Sequence, residues 1–380
     1  MSASHEPITA PLLAVPRRLL VVKVFGMGDS ILVRSLIEHI KARNPELEIG
    51  VLVSPATREA MTIDASYNVH QYTQRALTVY SALDCLREIR RCHYDAILNF
   101  EQRSTAGAAF LAMTGIRFRL GFLPTVESPK ARFFTHAVRF QEGWSMWTSF
   151  IKLAQMVDSR LPGNLMPLPL KCSTRSEAWA ETWLYQHSAG SRPVAIHLGS
   201  QGMEFRRWPA NRFVDLAERL RIDGASSILL TGTPSERPLI QEFIARYSGH
   251  ALDASDAGSL EHTAALLKRC DLLISNDTGI MHLAAAMGTA TVGLFGPNSP
   301  NQWSPIGPWA TYVYETRVPC SPCLNLYANR WPLECANSEK SRCMLDIQVD
   351  TVLDTARRIV SAKWAEKIGE DERGKFLRLH

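Results

Sequence analysis

Asp277-Thr278-Gly279, followed three residues later by His282, separates a short apolar run from the small residues Ala284, Ala285 and Ala286. A carboxylate, a hydroxyl and a glycine where a strand gives way to a helix leave the first helical N–H groups aimed at one spot, a ready seat for phosphate. His282 lies close to one turn along that helix, so its side chain approaches the same end. Gly26-Met27-Gly28-Asp29 follows the first apolar run, and its glycines permit a tight strand-to-helix turn. Ile31 stands where the third glycine of a dinucleotide fingerprint belongs, so that fingerprint is not met. Asp29 either caps its helix or opens from the strand's carboxyl end onto a ligand crevice, where a carboxylate takes a proton from a substrate hydroxyl. Arg206 and Arg207, in the run Arg206-Arg207-Trp208-Pro209, suit bidentate contact with a diphosphate, unless they are simply solvated charges. Glu236 closes a turn beginning at Gly232. It serves either the helix dipole or the hydroxyls of a ribose.

Cys320, Cys323, Cys335 and Cys343 fall within 24 residues with the spacing C-x2-C-x11-C-x7-C. In a reducing compartment that pattern resembles a tetrathiolate metal site, with zinc or iron the usual occupant. Four protein ligands leave no open position, so such a metal is structural. The alternative is a loop of reduced thiols. Cys85, Cys92, Cys172 and Cys270 are scattered.

These residues need rigid elements to hold them, and the apolar patterning supplies a repeated strand–helix alternation, the mark of parallel α/β sheets. Strands are expected at 19–25, 49–54, 69–72, 95–100 and 118–122, with helices at 30–43 and 76–91. A second series follows, with strands at 194–198, 227–231, 252–254, 272–275 and 291–295 and helices at 210–221, 236–247, 259–268 and 279–287. Residues 161–170 hold three prolines and a glycine, which neither a helix nor a central strand accommodates, so they form the linker. The expected organisation is an N-terminal Rossmann-like domain over 1–168 and a C-terminal one over 169–349, facing each other across a cleft. A helix at about 350–365 and a mobile charged tail over 366–380 follow.

Composition narrows the function classes. The 380 residues, 46% hydrophobic, suffice for two cores. The net charge of +5 comes without any Lys/Arg run interleaved with aromatics, which argues against nucleic acid. It is compatible with an anionic membrane surface or a phosphorylated substrate. The apolar stretch at 11–15 is too short for a signal-peptide core, and nothing approaches a membrane span, so the expectation is a cytoplasmic protein, peripheral to the membrane at most.

As an ordered set, Gly26-Met27-Gly28-Asp29, Arg206-Arg207-Trp208-Pro209, Gly232 with Glu236, Asp277-Thr278-Gly279 with His282, and Leu294-Phe295-Gly296-Pro297 resemble glycosyltransferase family 9. Its members are ADP-heptose:lipopolysaccharide heptosyltransferases of two-domain GT-B fold. The resemblance runs from about Leu19 to Ile359. It implies an inverting transfer that requires no catalytic metal. A nucleotide-sugar donor, ADP-heptose, lies on the C-terminal domain and a lipid-linked glycan acceptor on the N-terminal one, at the cytoplasmic face of the inner membrane. By position Asp29 is similar to the family's general base, and Asp277, Thr278, Gly279 and His282 match its donor-phosphate loop. Arg206 stands where a Lys commonly meets the diphosphate, so either Arg206 or Arg207 fits that task. Glu236 falls where a Glu meets the nucleoside. Two other readings keep the same fold: a sugar-nucleotide epimerase without a macromolecular acceptor, and a non-catalytic nucleotide-binding protein. Arg103, Lys130 and Arg132 are candidates for acceptor phosphates, or ordinary surface charges.

Overall fold

The computed structural model describes residues 9–72, 79–124, 128–141, 143–200, 202–314, 317–325 and 330–376. The chain divides into two compact units, Met1–Leu170 with Asn325–Arg330, and Lys171–Leu324 with Trp331–His380. The proline-rich stretch at 161–170 is without helix or strand and ends at that division.

In the first unit the order is β1 (Arg18–Val22), α1 (Met27–Arg43), β2 (Glu48–Val53), α2 (Pro55–Thr62), β3 (Asn68–Gln71), α3 (Val79–Arg91), β4 (Ala96–Asn99), α4 (Thr105–Met113), β5 (Phe118–Leu123), β6 (His136–Arg139) and α5 (Met146–Gln155). All six strands are parallel, in the order β3-β2-β1-β4-β5-β6. Leu19 to Val22 and Ala96 to Leu98 are buried, as central strands covered on both faces must be.

The second unit begins with α6 (Thr174–Gln186) and β7 (Pro193–His197), then α7 (Ala210–Ile222), β8 (Ser227–Thr231), α8 (Arg237–Arg246), β9 (Ala251–Asp253) and α9 (Leu260–Lys268). It continues through β10 (Leu272–Asn276), α10 (Gly279–Ala286), β11 (Ala290–Phe295), α11 (Pro300–Trp303), β12 (Ala310–Tyr314), α12 (Arg342–Leu345) and α13 (Val349–Phe376). Its parallel sheet runs β12-β11-β10-β7-β8-β9, the same winding as the first unit. Each sheet therefore reverses direction once, between β1 and β4 and between β7 and β10. Open α/β sheets bind ligands at the carboxyl ends of the strands flanking such a reversal.

Two expectations need correction. Each sheet has an edge strand that the apolar runs did not reveal, β6 and β12; both are short and mixed in polarity. The last helix does not stop near residue 365 but continues to Phe376, through the segment expected to be a tail. Its apolar positions Val352, Leu353 and Ala356 lie in the core of the second unit with Trp208, Phe213 and Met344. The start expected for the helix at 76–91 lies outside the described residues.

Candidate functional site

Each unit carries a polar cluster at its sheet reversal. In the first, α1 begins at Met27, three residues earlier than expected, so Gly28 and Asp29 belong to its first turn. Gly26 is the N-cap at φ 81°, a left-handed backbone that favours glycine, and its carbonyl accepts Ser30 N (3.0 Å) and Ser30 Oγ (2.9 Å). Asp29 lies in the first turn of α1, where a carboxylate favours the helix dipole, but its side chain makes no capping bond. Its carboxylate, 8% exposed, lies 2.9 Å from Lys23 Nζ, and Gln102 Nε2 donates to the same oxygen at 3.4 Å. Sequence reasoning passed over Lys23 because it continues an apolar run and reads as the end of a strand.

Glu101 completes this cluster. Its Oε1 is 3.5 Å from Lys23 Nζ and accepts the backbone N–H of Val24 (2.8 Å) and Phe25 (3.0 Å). One carboxylate thus ties the end of β4 to the end of β1. Lys130, a candidate for acceptor phosphate, is instead buried beneath this loop, with Nζ donating to the carbonyls of Glu101 (3.2 Å) and Gln102 (2.9 Å). Burial pushes the Lys130 ammonium down to about 8, against the pull of Glu101. Beside the cluster a cavity of about 370 Å³ is lined by Val22, Phe25, Tyr72, Glu101, Gly107 and Phe110, among others.

In the second unit, buried Asn276 fixes the frame. Its Nδ2 donates to the carbonyls of Leu198 (2.9 Å) and Gly199 (3.2 Å), and its Oδ1 accepts Trp208 N (2.9 Å). The indole of Trp208 donates to Ile347 O at 3.0 Å. The arginine loop is thereby anchored at both ends, and the two arginines part company. Arg206, 7% exposed, spends Nη2 on both the carbonyl and the carboxylate of Asp277, the latter at 2.7 Å. Asn298, unnoticed in the sequence although it directly follows Gly296-Pro297, donates to the same carboxylate at 2.7 Å. Arg207 is more open: a quarter of its side chain is exposed, Nε rests on Ser200 Oγ at 3.0 Å, and Nη1 reaches Glu204 at 3.5 Å. Gln201, in the same loop, lies outside the described residues.

Thr278 is the N-cap of α10 and makes no capping bond; its hydroxyl meets Ser275 Oγ at 3.1 Å. Among the described residues, no side chain caps the first turn of the helix, which begins at Gly279. His282 follows on the same short helix and is buried. At the neighbouring strand end, Glu236 Oε2 accepts Thr233 N (2.9 Å) and Thr233 Oγ1 (3.0 Å), while Oε1 lies over the backbone of Gly199. His197 Nδ1 is 3.0 Å from Thr231 O, and burial lowers its pKa although Glu236 opposes this. A methyl at Gly199 would overlap Glu236 Oε1 and crowd His197 Nε2. Gly199→Ala is expected to swing the carboxylate aside and cost about 1 kcal/mol, seen as a lower unfolding midpoint, with Thr233 losing its partner. An unchanged midpoint would mean that the carboxylate does not need this space.

The four clustered cysteines are all reduced. Burial, reinforced by Cys323, Cys335 and Cys320, pushes the Cys343 thiol up to about 12, so the four share one electrostatic neighbourhood. Among the described residues, however, no three metal-ligating side chains converge enough to hold an ion. Cys343 packs in the hydrophobic core beside Met344. No helix among the described residues is long and apolar enough to cross a membrane.

Sequence and structure comparisons identify relatives of this architecture. The family model described as glycosyltransferase family 9 (heptosyltransferase) matches residues 83–329. Lipopolysaccharide heptosyltransferase 2 of Salmonella typhimurium is 30% identical over 315 residues, 76% of this chain and 85% of the relative. The structure of Escherichia coli ADP-heptose lps heptosyltransferase II superposes with a TM-score of 0.71 at 20% identity, covering 91% of this chain and 99% of that one. The E. coli heptosyltransferase WaaC with ADP gives 0.67 at 17% identity, covering 90% and 99%. The fold is GT-B, and among the three readings of the sequence the transferase is selected. The chain belongs to glycosyltransferase family 9, the heptosyltransferase family, and is a glycosyltransferase.

Proposed function

We propose that this enzyme moves heptose from ADP-heptose onto a sugar of the lipopolysaccharide core, with inversion, using Asp29 as general base at the cytoplasmic face of the inner membrane. The observation that carries this reading is the situation of Asp29: a buried carboxylate at the carboxyl end of β1, drawn to Lys23 rather than capping its own helix. The donor assignment draws on relatives named for ADP-heptose and solved with ADP.

In the proposed reaction the acceptor hydroxyl gives its proton to Asp29 as its oxygen bonds to the anomeric carbon. The bond from that carbon to the diphosphate breaks, and the electron pair leaves with the nucleotide. The open first turn of α10 and the guanidinium of Arg207 face the growing negative charge. Arg206 acts one step back, through Asp277. Glu236 accepts from the ribose hydroxyls, and His282 lies on the phosphate-binding helix. The chain's own groups supply both the base and the charge stabilisation, so no step needs a metal. Any ion at Cys320, Cys323, Cys335 and Cys343 would be structural, and EDTA is expected to leave turnover unchanged. A rate lost to EDTA and restored by a divalent ion would contradict this.

The direct test incubates the enzyme with ADP-heptose and a heptose-deficient lipopolysaccharide core. A mass gain of one heptose on the glycan is expected, and no new sugar-nucleotide isomer when donor is given alone. An unmodified acceptor together with such an isomer would overturn the transferase reaction. ADP-sugars should also raise the unfolding midpoint more than UDP-sugars do, because only a true ligand stabilises the native state by mass action.

A further inference from the structure

We propose that Lys23 is the positioning residue for Asp29 and that Glu101 is the counter-charge that keeps Lys23 in place through the reaction. The inference rests on Asp29 acting as the base. Lys23 is 1% exposed, and an ammonium so deep in a protein is costly unless it is paired. Here burial works against the charged form, but Asp29 and Glu101 more than offset it and hold the group protonated. A purely structural ion pair needs one carboxylate. This lysine sits between two, 2.9 Å from one and 3.5 Å from the other.

The chemistry gives the second carboxylate a purpose. Before transfer Asp29 is an anion, and Lys23 neutralises it. When Asp29 takes the hydroxyl proton it becomes neutral, and a lysine paired with Asp29 alone would be left as a buried, uncompensated cation. Glu101 prevents that. Its position does not depend on Asp29, because the backbone N–H groups of Val24 and Phe25 hold the same oxygen that faces Lys23. Among the described residues, the donors to Asp29, Lys23 and Gln102, both meet Oδ2. Oδ1 takes neither of these bonds, and the proposal assigns it the hydroxyl proton. Among the described residues, the ion pairs at this cluster bring Lys23 at the end of β1 and Glu101 at the end of β4 to Asp29. Lys130 stands behind them on the Glu101 carbonyl.

The test is steady-state kinetics across pH with ADP-heptose and core acceptor, on Lys23→Met, Lys23→Arg, Glu101→Gln and Asp29→Asn. Lys23→Met is expected to lower kcat by about 100-fold through misplacement of the base. Donor KM should stay unchanged, and the acid limb of the kcat profile should move up by about one pH unit or more. Lys23→Arg should restore most of the rate. Glu101→Gln removes the competing carboxylate while leaving the Lys23–Asp29 pair, so its acid limb should move to lower pH. Should Lys23→Met not fold, the Glu101→Gln profile decides, and an unmoved limb there overturns the proposal. A Lys23→Met loss with an unmoved limb that arginine does not rescue makes Lys23 a strut and overturns it equally. Wild-type turnover in Asp29→Asn would remove the base itself and this proposal with it. An inactive Asp29→Asn beside unmoved Lys23 and Glu101 profiles would remove this proposal alone.

Discussion

Asp29→Asn is expected to lower kcat by about 1,000-fold, the middle of the range for loss of a general base, while ADP still raises the unfolding midpoint as it does in the wild type. The two readouts separate because the residues involved lie in different units. Asp29 follows β1, whereas the proposed donor-side groups Arg207, Glu236 and Thr278 follow strands of the second sheet. Asparagine keeps the shape of the side chain and can still accept from Lys23 and Gln102, so the local packing has little reason to rearrange. It cannot take a proton. Lys23 keeps Glu101 at 3.5 Å as its charged partner, so the folded protein survives the change. A variant that turned over at the wild-type rate would show that the acceptor hydroxyl is deprotonated elsewhere. A variant that also lost the response to ADP would show that the substitution had damaged more than the chemistry.

The ends of the central strands were legible in the sequence because parallel strands buried on both faces leave apolar runs, and the turns after them carry glycine, aspartate or threonine for geometric reasons. Gly26, Asp29, Thr278 and Gly279 all emerged that way. What did not emerge depends on contacts between residues far apart in the chain. Lys23 and Glu101 are 78 positions apart and meet only because β1 pairs with β4, a neighbour relation that no local pattern encodes. Lys130 read as a loop charge, yet its stem and ammonium fill the space under Glu101 and Gln102. The cysteine spacing was legible too, but spacing alone does not say how deep each thiol lies, and Cys343 packs in the core. Strands β6 and β12 also escaped notice. Edge strands need few apolar residues, so the short, half-polar His136–Arg139 carries little signal, whereas Ala310–Tyr314 is rich in β-branched and aromatic residues and was overlooked.

Arg206 and Arg207 were indistinguishable as letters, and their substitution to methionine is expected to give two unlike proteins. Arg206→Met removes the partner of a carboxylate that is 6% exposed. Among the described residues Asn298 alone remains to satisfy the Asp277 side chain, and an uncompensated charge at that depth costs about 3–5 kcal/mol. For a unit of this size that corresponds to a fall of about 10 °C in the unfolding midpoint. Among the described residues Arg207→Met breaks a bond to Ser200 Oγ and a contact with the exposed Glu204, so its midpoint should stay near the wild type. Its effect belongs in binding. A guanidinium bonded to a phosphate contributes about 1.5–3 kcal/mol, so ADP affinity should fall by about tenfold to a hundredfold. Calorimetric titration with ADP, paired with thermal unfolding, reads both variants. If Arg206→Met unfolded like the wild type but lost ADP, the buried residue would be the phosphate contact after all. The ion pair with Asp277 would then have to open whenever donor binds, and the donor loop would be a switch rather than a preformed seat.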